Sequence, residues 1–255
     1  LSSEEYANRI VEASDIKKDD TILEIGAGAG TLTLSLAMTG AKVYAIEIDN
    51  RMEPILKERL AEYNNVHLIF EDFFNVDLSF LPNQYKCISN IPYYITAPII
   101  KRLIFTNFNV LYLMMQKEVG ERLQEKPGSS NRGFLSVVLQ TVADLEKVMI
   151  VPRSAFVPNP EIDSIVLKIK KNSSIPFMSL EELSSYWDFV SSCFGQKRKT
   201  IYNNLRAIGL DKSMIEEMLD GISPSARPEQ LTNDEFVSMW HKWRELKTLS
   251  NGGAL

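Results

Sequence analysis

Short apolar runs rich in β-branched residues recur along the first two-thirds of the chain, each followed by a stretch of helical spacing. This pattern predicts strands over residues 21–25, 42–46, 66–70, 85–89 and 110–115, and helices over 4–14, 31–38, 51–63, 97–105 and 118–124. The strands are short and almost uniformly apolar, as expected where helices cover both faces of a parallel sheet. Such alternation implies βαβ units and a doubly wound, Rossmann-like α/β sheet. Two later runs, 145–151 and 164–169, flank a proline-bearing loop and read as a closing antiparallel pair. Asn172-Ser173-Ser174-Ile175-Pro176 is polar and turn-rich, which places the domain boundary there. Beyond it the pattern is helical only, over 180–193, 199–208, 212–219 and 233–246. The expectation is therefore a sheet domain over 1–173 and a small all-helical domain over 174–255, with substrate in the cleft between them. Gly128-Ser129-Ser130-Asn131 reads as a flexible loop and Asn251-Gly252-Gly253 as a frayed end.

Composition narrows the classes. With 45% hydrophobic and 24% charged residues in 255, the chain can bury enough apolar surface to order itself. No apolar run approaches the roughly 18 residues of a membrane span. Leu1 as the first residue implies numbering that starts inside the natural chain, and no signal peptide is visible. Cys87 and Cys193, with only His67 and His241 beside them, make neither a disulfide framework nor a metal set. A cytoplasmic protein without a metal is expected. The net charge of −5 speaks against a nucleic-acid partner, but the charge is unevenly spread. Residues 1–77 carry 15 acids against 7 bases, whereas 78–117 carry 4 bases and no acid. Residues 189–210 hold Lys197, Arg198, Lys199 and Arg206, again without an acid. A globally acidic protein can still present such a basic face to phosphates.

The segment from Glu24 to Thr31 closes the first predicted strand and opens the first helix after it. Gly26, Gly28 and Gly30 let the backbone turn tightly and approach a ligand without a Cβ in the way. Alone, the loop fits an S-adenosylmethionine (AdoMet) site, a dinucleotide site or a plain structural turn. Thr31 stands where the dinucleotide fingerprint takes Gly or Ala, and Glu24 before the first glycine suits AdoMet better. Glu47 ends the second strand, where a carboxylate can accept from both ribose hydroxyls. Asp72 ends the third, where it can accept from an adenine amino group or merely cap a turn.

Asn90-Ile91-Pro92-Tyr93 follows the fourth strand and points to the reaction class. An aromatic exocyclic amine is a weak nucleophile, because its lone pair is delocalised into the ring. It has to be held near tetrahedral geometry, in line with the methyl–sulfur bond. The Asn90 side-chain oxygen and the Ile91 carbonyl can accept its two N–H bonds, Pro92 fixes the turn, and Tyr93 can stack on an unstacked purine. The alternative is an Asn-x-Pro turn with a core tyrosine.

The tetrapeptide resembles the amine-methylating signature of the KsgA-type rRNA adenine dimethyltransferases and the Erm resistance methyltransferases. Likeness to the former extends through most of the chain. Gln116-Lys117-Glu118-Val119 with Arg122-Leu123 is similar to that family's segment after the fifth strand. Pro152 to Pro160 with Asp163-Ser164 looks like its substrate loop, and Leu1 looks like the last residue of its N-terminal Gln-(Asn/His)-Phe-Leu element. Phe194 to Thr200 with Asn204-Leu205, and Arg227-Pro228-Glu229-Gln230-Leu231, resemble its C-terminal elements and favour KsgA over Erm.

The resemblance implies a class I AdoMet-dependent methyltransferase with a helical C-terminal RNA-recognition domain, forming S-adenosylhomocysteine as product. It implies AdoMet contacts at Leu1, Gly26, Gly28, Glu47, Asp72 and Asn90. Asn90, Ile91 and Pro92 would orient the amine, while Tyr93 and Phe156 would hold the flipped base, the alternative for Phe156 being a core phenylalanine before a proline turn. Lys197, Arg198 and Lys199 would contact RNA phosphates, with Lys117 and Arg132 as weaker candidates. Trp187, Trp240 and Trp243 are expected in the core of the helical domain. The implied reaction is N6,N6-dimethylation of two adjacent adenosines near the 3′ end of small-subunit (16S) rRNA. The implied partner is a 30S assembly intermediate and the protein a monomer. The rivals are an Erm-type 23S rRNA enzyme, a DNA adenine methyltransferase, and a non-catalytic RNA-binding assembly factor.

Overall fold

A computed structural model describes residues 1–177 and 179–252, without the side chains of 249–252. The chain divides into two compact units. One comprises Leu1–Gly120 and Ala143–Lys171, the other Glu121–Val142 and the residues from Asn172 onward.

The first unit holds a seven-stranded sheet: β1 (Thr21–Ile25), β2 (Lys42–Glu47), β3 (Val66–Phe70), β4 (Tyr85–Asn90), β5 (Phe108–Gln116), β6 (Ala143–Val151) and β7 (Ser164–Lys171). Their order is β3-β2-β1-β4-β5-β7-β6. The first five strands run parallel, and β7 is antiparallel to both β5 and β6. Central strands are apolar on both sides: Ile22, Leu23, Val43, Ala45, Cys87, Ile88, Leu111 and Leu113 are all buried. Helices α1 (Glu4–Ala13), α2 (Thr31–Ala37), α3 (Glu53–Arg59), α4 (Thr96–Ile104) and α5 (Lys117–Leu123) connect them. The helix expected over 51–63 is shorter. Residues Asn50–Met52 form a 3-10 turn, and Pro54 lies in the first turn of α3, where a missing N–H costs nothing.

The second unit is helical: α6 (Phe134–Val142), α7 (Leu180–Cys193), α8 (Ile201–Ala207), α9 (Lys212–Met218) and α10 (Asn233–Gly252). Trp240 is fully buried against Phe177 and Tyr186, Trp187 packs on Phe134, and the half-buried Trp243 lies against Phe189. Helix α10 continues through Gly252; Gly253, the end of the expected frayed tail, lies outside the described residues.

Three expectations need correction. Residues 121–142 were assigned by sequence to the sheet domain, but they group with the helices, so the single boundary at 173 becomes three crossings. Asn172 N–H donates to Val142 O at 3.0 Å, and Thr141 hydroxyl meets Tyr186 hydroxyl at 3.1 Å, which ties α6 to the later helices. The loop at 128–131 is a hydrogen-bonded turn: Gly128 N–H donates to Glu229 O at 2.9 Å, and Arg132 N–H closes back on Ser129 O at 3.1 Å. Arg132 is no RNA contact. Only 1% of it is exposed, and its guanidinium donates to Leu231 O and Asn233 Oδ1 within the helical unit.

No helix among the described residues is long and apolar enough to cross a membrane.

Candidate active site

Gly26, Glu47, Asp72 and Asn90 stand at or just past the carboxyl ends of the parallel strands, where two neighbours part. β1 and β2 stay paired up to Ile25 and Ile46, but β1 and β4 pair only at Ile22↔Lys86 and Leu23↔Cys87. A crevice therefore opens between the ends of β1 and β4, where the strand order reverses. The buried Ser89 hydroxyl accepts the Ile25 N–H at 2.8 Å, a donor that the interrupted ladder would leave unpaired.

The loop leaving β1 has Gly26, Gly28 and Gly30 at φ +80°, +56° and +82°, a backbone that side chains strain. No heavy atom lies within 4 Å of where a Gly28 Cβ would stand, so the loop faces open space there. Glu47 is buried at the end of β2. Its Oε2 accepts Gly28 N–H at 2.7 Å and its Oε1 accepts Asp49 N–H at 2.8 Å, which fixes the loop. Each oxygen keeps acceptor capacity for a hydroxyl. Burial pushes the Glu24 carboxyl up to about 8, and the negative Glu47 adds to the rise. Glu24 thus keeps its proton near neutral pH.

Asn90 ends β4, and the next residue holds the turn down through Ile91 N–H to Met114 O at 3.1 Å. Asn90 Oδ1 is buried and accepts no hydrogen bond. An acceptor left in that state costs about 1–3 kcal/mol. Pro92 has φ −59°, and the 3-10 turn Tyr93–Ile95 follows it. Tyr93 is half-buried, its hydroxyl 2.6 Å from the fully buried Ser164 Oγ, so one hydrogen bond anchors the end of its side chain. Phe156 follows the turn Arg153–Ala155. It is 6% exposed and belongs to the apolar cluster on which Leu1 packs.

A cavity of about 390 Å³ brings together Gly26 and Glu47 with Asn90, Ile91, Pro92, Tyr93 and Phe156. Leu1, Gly28 and Asp72 do not line it. The Ser2 and Ser3 N–H groups donate to Ala155 O, which places the chain start beside the Phe156 turn. Asp72 is half-buried, and its Oδ1 accepts Phe74 N–H at 3.0 Å. Arg102 braces that segment by donating to Phe73 O and Val76 O. The residues present fit AdoMet. A glycine loop with open space over Gly28, a buried carboxylate at a strand end and an unpartnered buried acceptor suit a nucleoside and a donor beside it.

The basic candidates divide. Lys197, Arg198 and Lys199 are exposed, in the turn before α8 rather than in the helix. Thr200 caps α8, accepting Asn203 N–H at 3.3 Å. Lys117 is half-buried at the start of α5, where its N–H donates to Asp163 O at 3.0 Å. Sequence reasoning gave no role to Ser89, Ser164 or Asn204. Buried Asn204 accepts Gln196 N–H at 2.7 Å and donates to Gln196 O and Thr200 O, which shapes the basic turn. Its signal in the sequence is its place in the Asn204-Leu205 pair that follows the basic turn.

This strand order and this arrangement of the strand ends are those of a Rossmann-like methyltransferase. The model of the family "Ribosomal RNA adenine dimethylase" matches residues 1–244. The chain is 45% identical, over 96% of its length and 88% of the relative's, to a protein of Thermotoga neapolitana named ribosomal RNA small subunit methyltransferase A. Against the protein of that name from Clostridium botulinum it is 37% identical over 92% and 88%. A solved dimethyladenosine transferase from Plasmodium falciparum superposes with a TM-score of 0.83 at 27% identity, covering 96% of this chain and 97% of that one. The 23S rRNA methyltransferase ErmE shares the fold, with a TM-score of 0.73 at 23% identity. The chain belongs to the ribosomal RNA adenine dimethylase family.

Proposed function

We propose that the protein transfers methyl groups from AdoMet to N6 of two adjacent adenosines in the loop near the 3′ end of small-subunit rRNA. Asn90 carries this reading, as a buried acceptor without a protein partner at the mouth of the β1/β4 crevice. The relatives' shared name supports the small subunit as substrate. AdoMet supplies the electrophilic methyl group when bound. The glycine loop, Glu47 and Asp72 hold its nucleoside, with Leu1 closing the site.

Asn90 Oδ1 and the Ile91 carbonyl accept the two amine N–H bonds, which pulls the nitrogen lone pair out of conjugation and aims it. Tyr93, fixed by Ser164, and Phe156 hold the base between them. The rate comes from positioning, without a covalent enzyme intermediate. Once methylated, the nitrogen sheds its proton to water, so the site needs no dedicated base. Lys197, Arg198 and Lys199 contact RNA phosphates, with Lys117 as a weaker contact. The physiological substrate is an assembly intermediate of the small subunit, and the protein acts as a monomer in the cytoplasm.

The test is transfer of tritiated methyl groups from AdoMet to unmethylated small subunits. Wild type should label the rRNA and Asn90→Ala should not. Equal labelling by the two would overturn the mechanism.

A further inference from the structure

The 3-10 turn Tyr93–Ile95 sends two neighbouring tyrosines opposite ways. Successive residues of such a turn point about 120° apart. Tyr93 turns inward onto Ser164, while Tyr94 lines the same cavity from its rim and is 86% exposed. Two other large apolar side chains are bare around this opening. Ile48, next to Glu47, is 64% exposed, and Val157, between the cavity residues Phe156 and Pro158, is 82% exposed. Single exposed apolar residues need no explanation, but three around one opening mark a contact surface. None of the three carries a charge, so this rim suits the face of a base rather than a phosphate.

We propose that Tyr94, on the cavity rim that Ile48 also lines, is a second nucleobase subsite, taking the purine next in sequence to the base held in the cavity. This rests on the rRNA methyltransferase reading above and deepens it. A base swung out of its stack exposes the face of its neighbour. An aromatic ring at the rim replaces that lost stacking whichever base is neighbour, which is how proteins hold single-stranded bases. With two adjacent adenosines, one stacks on Tyr94 while the other is methylated. The rim therefore favours a stacked neighbouring base over a gap at the site of reaction. Tyr94 acts on binding and positioning and is not a catalytic residue.

The test is a double-mutant cycle on RNA and protein together. Wild type and Tyr94→Ala are each assayed on small subunits reconstituted with a ligated rRNA fragment. The fragment carries either an adenosine or an abasic site beside the target. Tyr94 is too exposed for its loss to unfold the protein, and the affinity for AdoMet alone serves as the structural control. On the intact substrate Tyr94→Ala should raise KM for the subunit roughly ten-fold, in the lower part of the range for removing one aromatic–base stack. Tyr94→Trp should restore it. For wild type the abasic site should raise KM by a similar factor, and for Tyr94→Ala it should add almost nothing. If wild type methylates the subunit but the two losses multiply, the stacking subsite is refuted and the activity stands. If wild type transfers no methyl group to the intact subunit, the activity is refuted and this inference with it.

Discussion

Replacing Asn90 with alanine separates stability from function, because the structure makes opposite demands on the two. Asn90 Oδ1 is buried without a hydrogen-bond partner, so the folded protein carries a penalty of about 1–3 kcal/mol for it. Asn90→Ala removes that penalty and leaves a small void at the edge of an open cavity, which costs a similar amount. The net change in folding free energy should lie within about 1 kcal/mol. For a chain of this size that is a Tm shift of at most about 2–4 °C. Methyl transfer should behave differently. Losing one positioned acceptor at a reacting centre typically costs about 100- to 1,000-fold in rate. Thermal unfolding and methyl transfer to small subunits, measured on one preparation, give both numbers. A fall in Tm of ten degrees with near-normal transfer would make Asn90 a structural strand-end residue and not an acceptor for the amine.

Three further outcomes are expected. Replacing Lys197, Arg198 and Lys199 together with alanine should weaken binding to the small subunit and reduce the slope of log Kd against log salt by about 2–3; an unchanged slope would make the turn a solvated surface. Gly30→Ala should destabilise by about 2 kcal/mol or more in denaturant unfolding, because φ is +82° and the new Cβ would come within 2.8 Å of the buried Leu56 Cδ2. The Glu24 carboxyl, held up at about 8 in the fold against 4.5 for the free group, favours folding when protonated. Its contribution is complete below about pH 4.5 and fades as pH rises through 8, so Glu24→Gln should flatten unfolding free energy between pH 5 and 8. A profile as steep as that of wild type would exclude Glu24 as the titrating group.

The sheet was legible in sequence because its information is local. Each of the first four strands starts at the residue where its apolar run starts, and the glycines stand where positive φ is needed. Asn90, Tyr93 and Phe156 were found as motif residues, and the fold brings them to one cavity. Helix α6 was missed because Phe134–Val142 is buried on nearly every side, so no polar face marks a helical period. The excursion of 121–142 into the helical unit follows from its packing, which composition does not record. Arg132 read as a solvent-facing loop arginine. Its partners Leu231 and Asn233 lie about a hundred residues away. Ser164 stands in the sequence as part of the Asp163-Ser164 pair, but its bond to Tyr93, 71 residues away, is not written there.

On the proposed function the site presents an adenine amine, and no other atom, to the methyl donor. This is tested most directly by digesting small-subunit rRNA to nucleosides after reaction with isotopically labelled AdoMet and resolving them by mass spectrometry. Label is expected in N6,N6-dimethyladenosine, from two adjacent positions near the 3′ end. Label on a ribose hydroxyl, a cytosine or a guanine would contradict the proposed function.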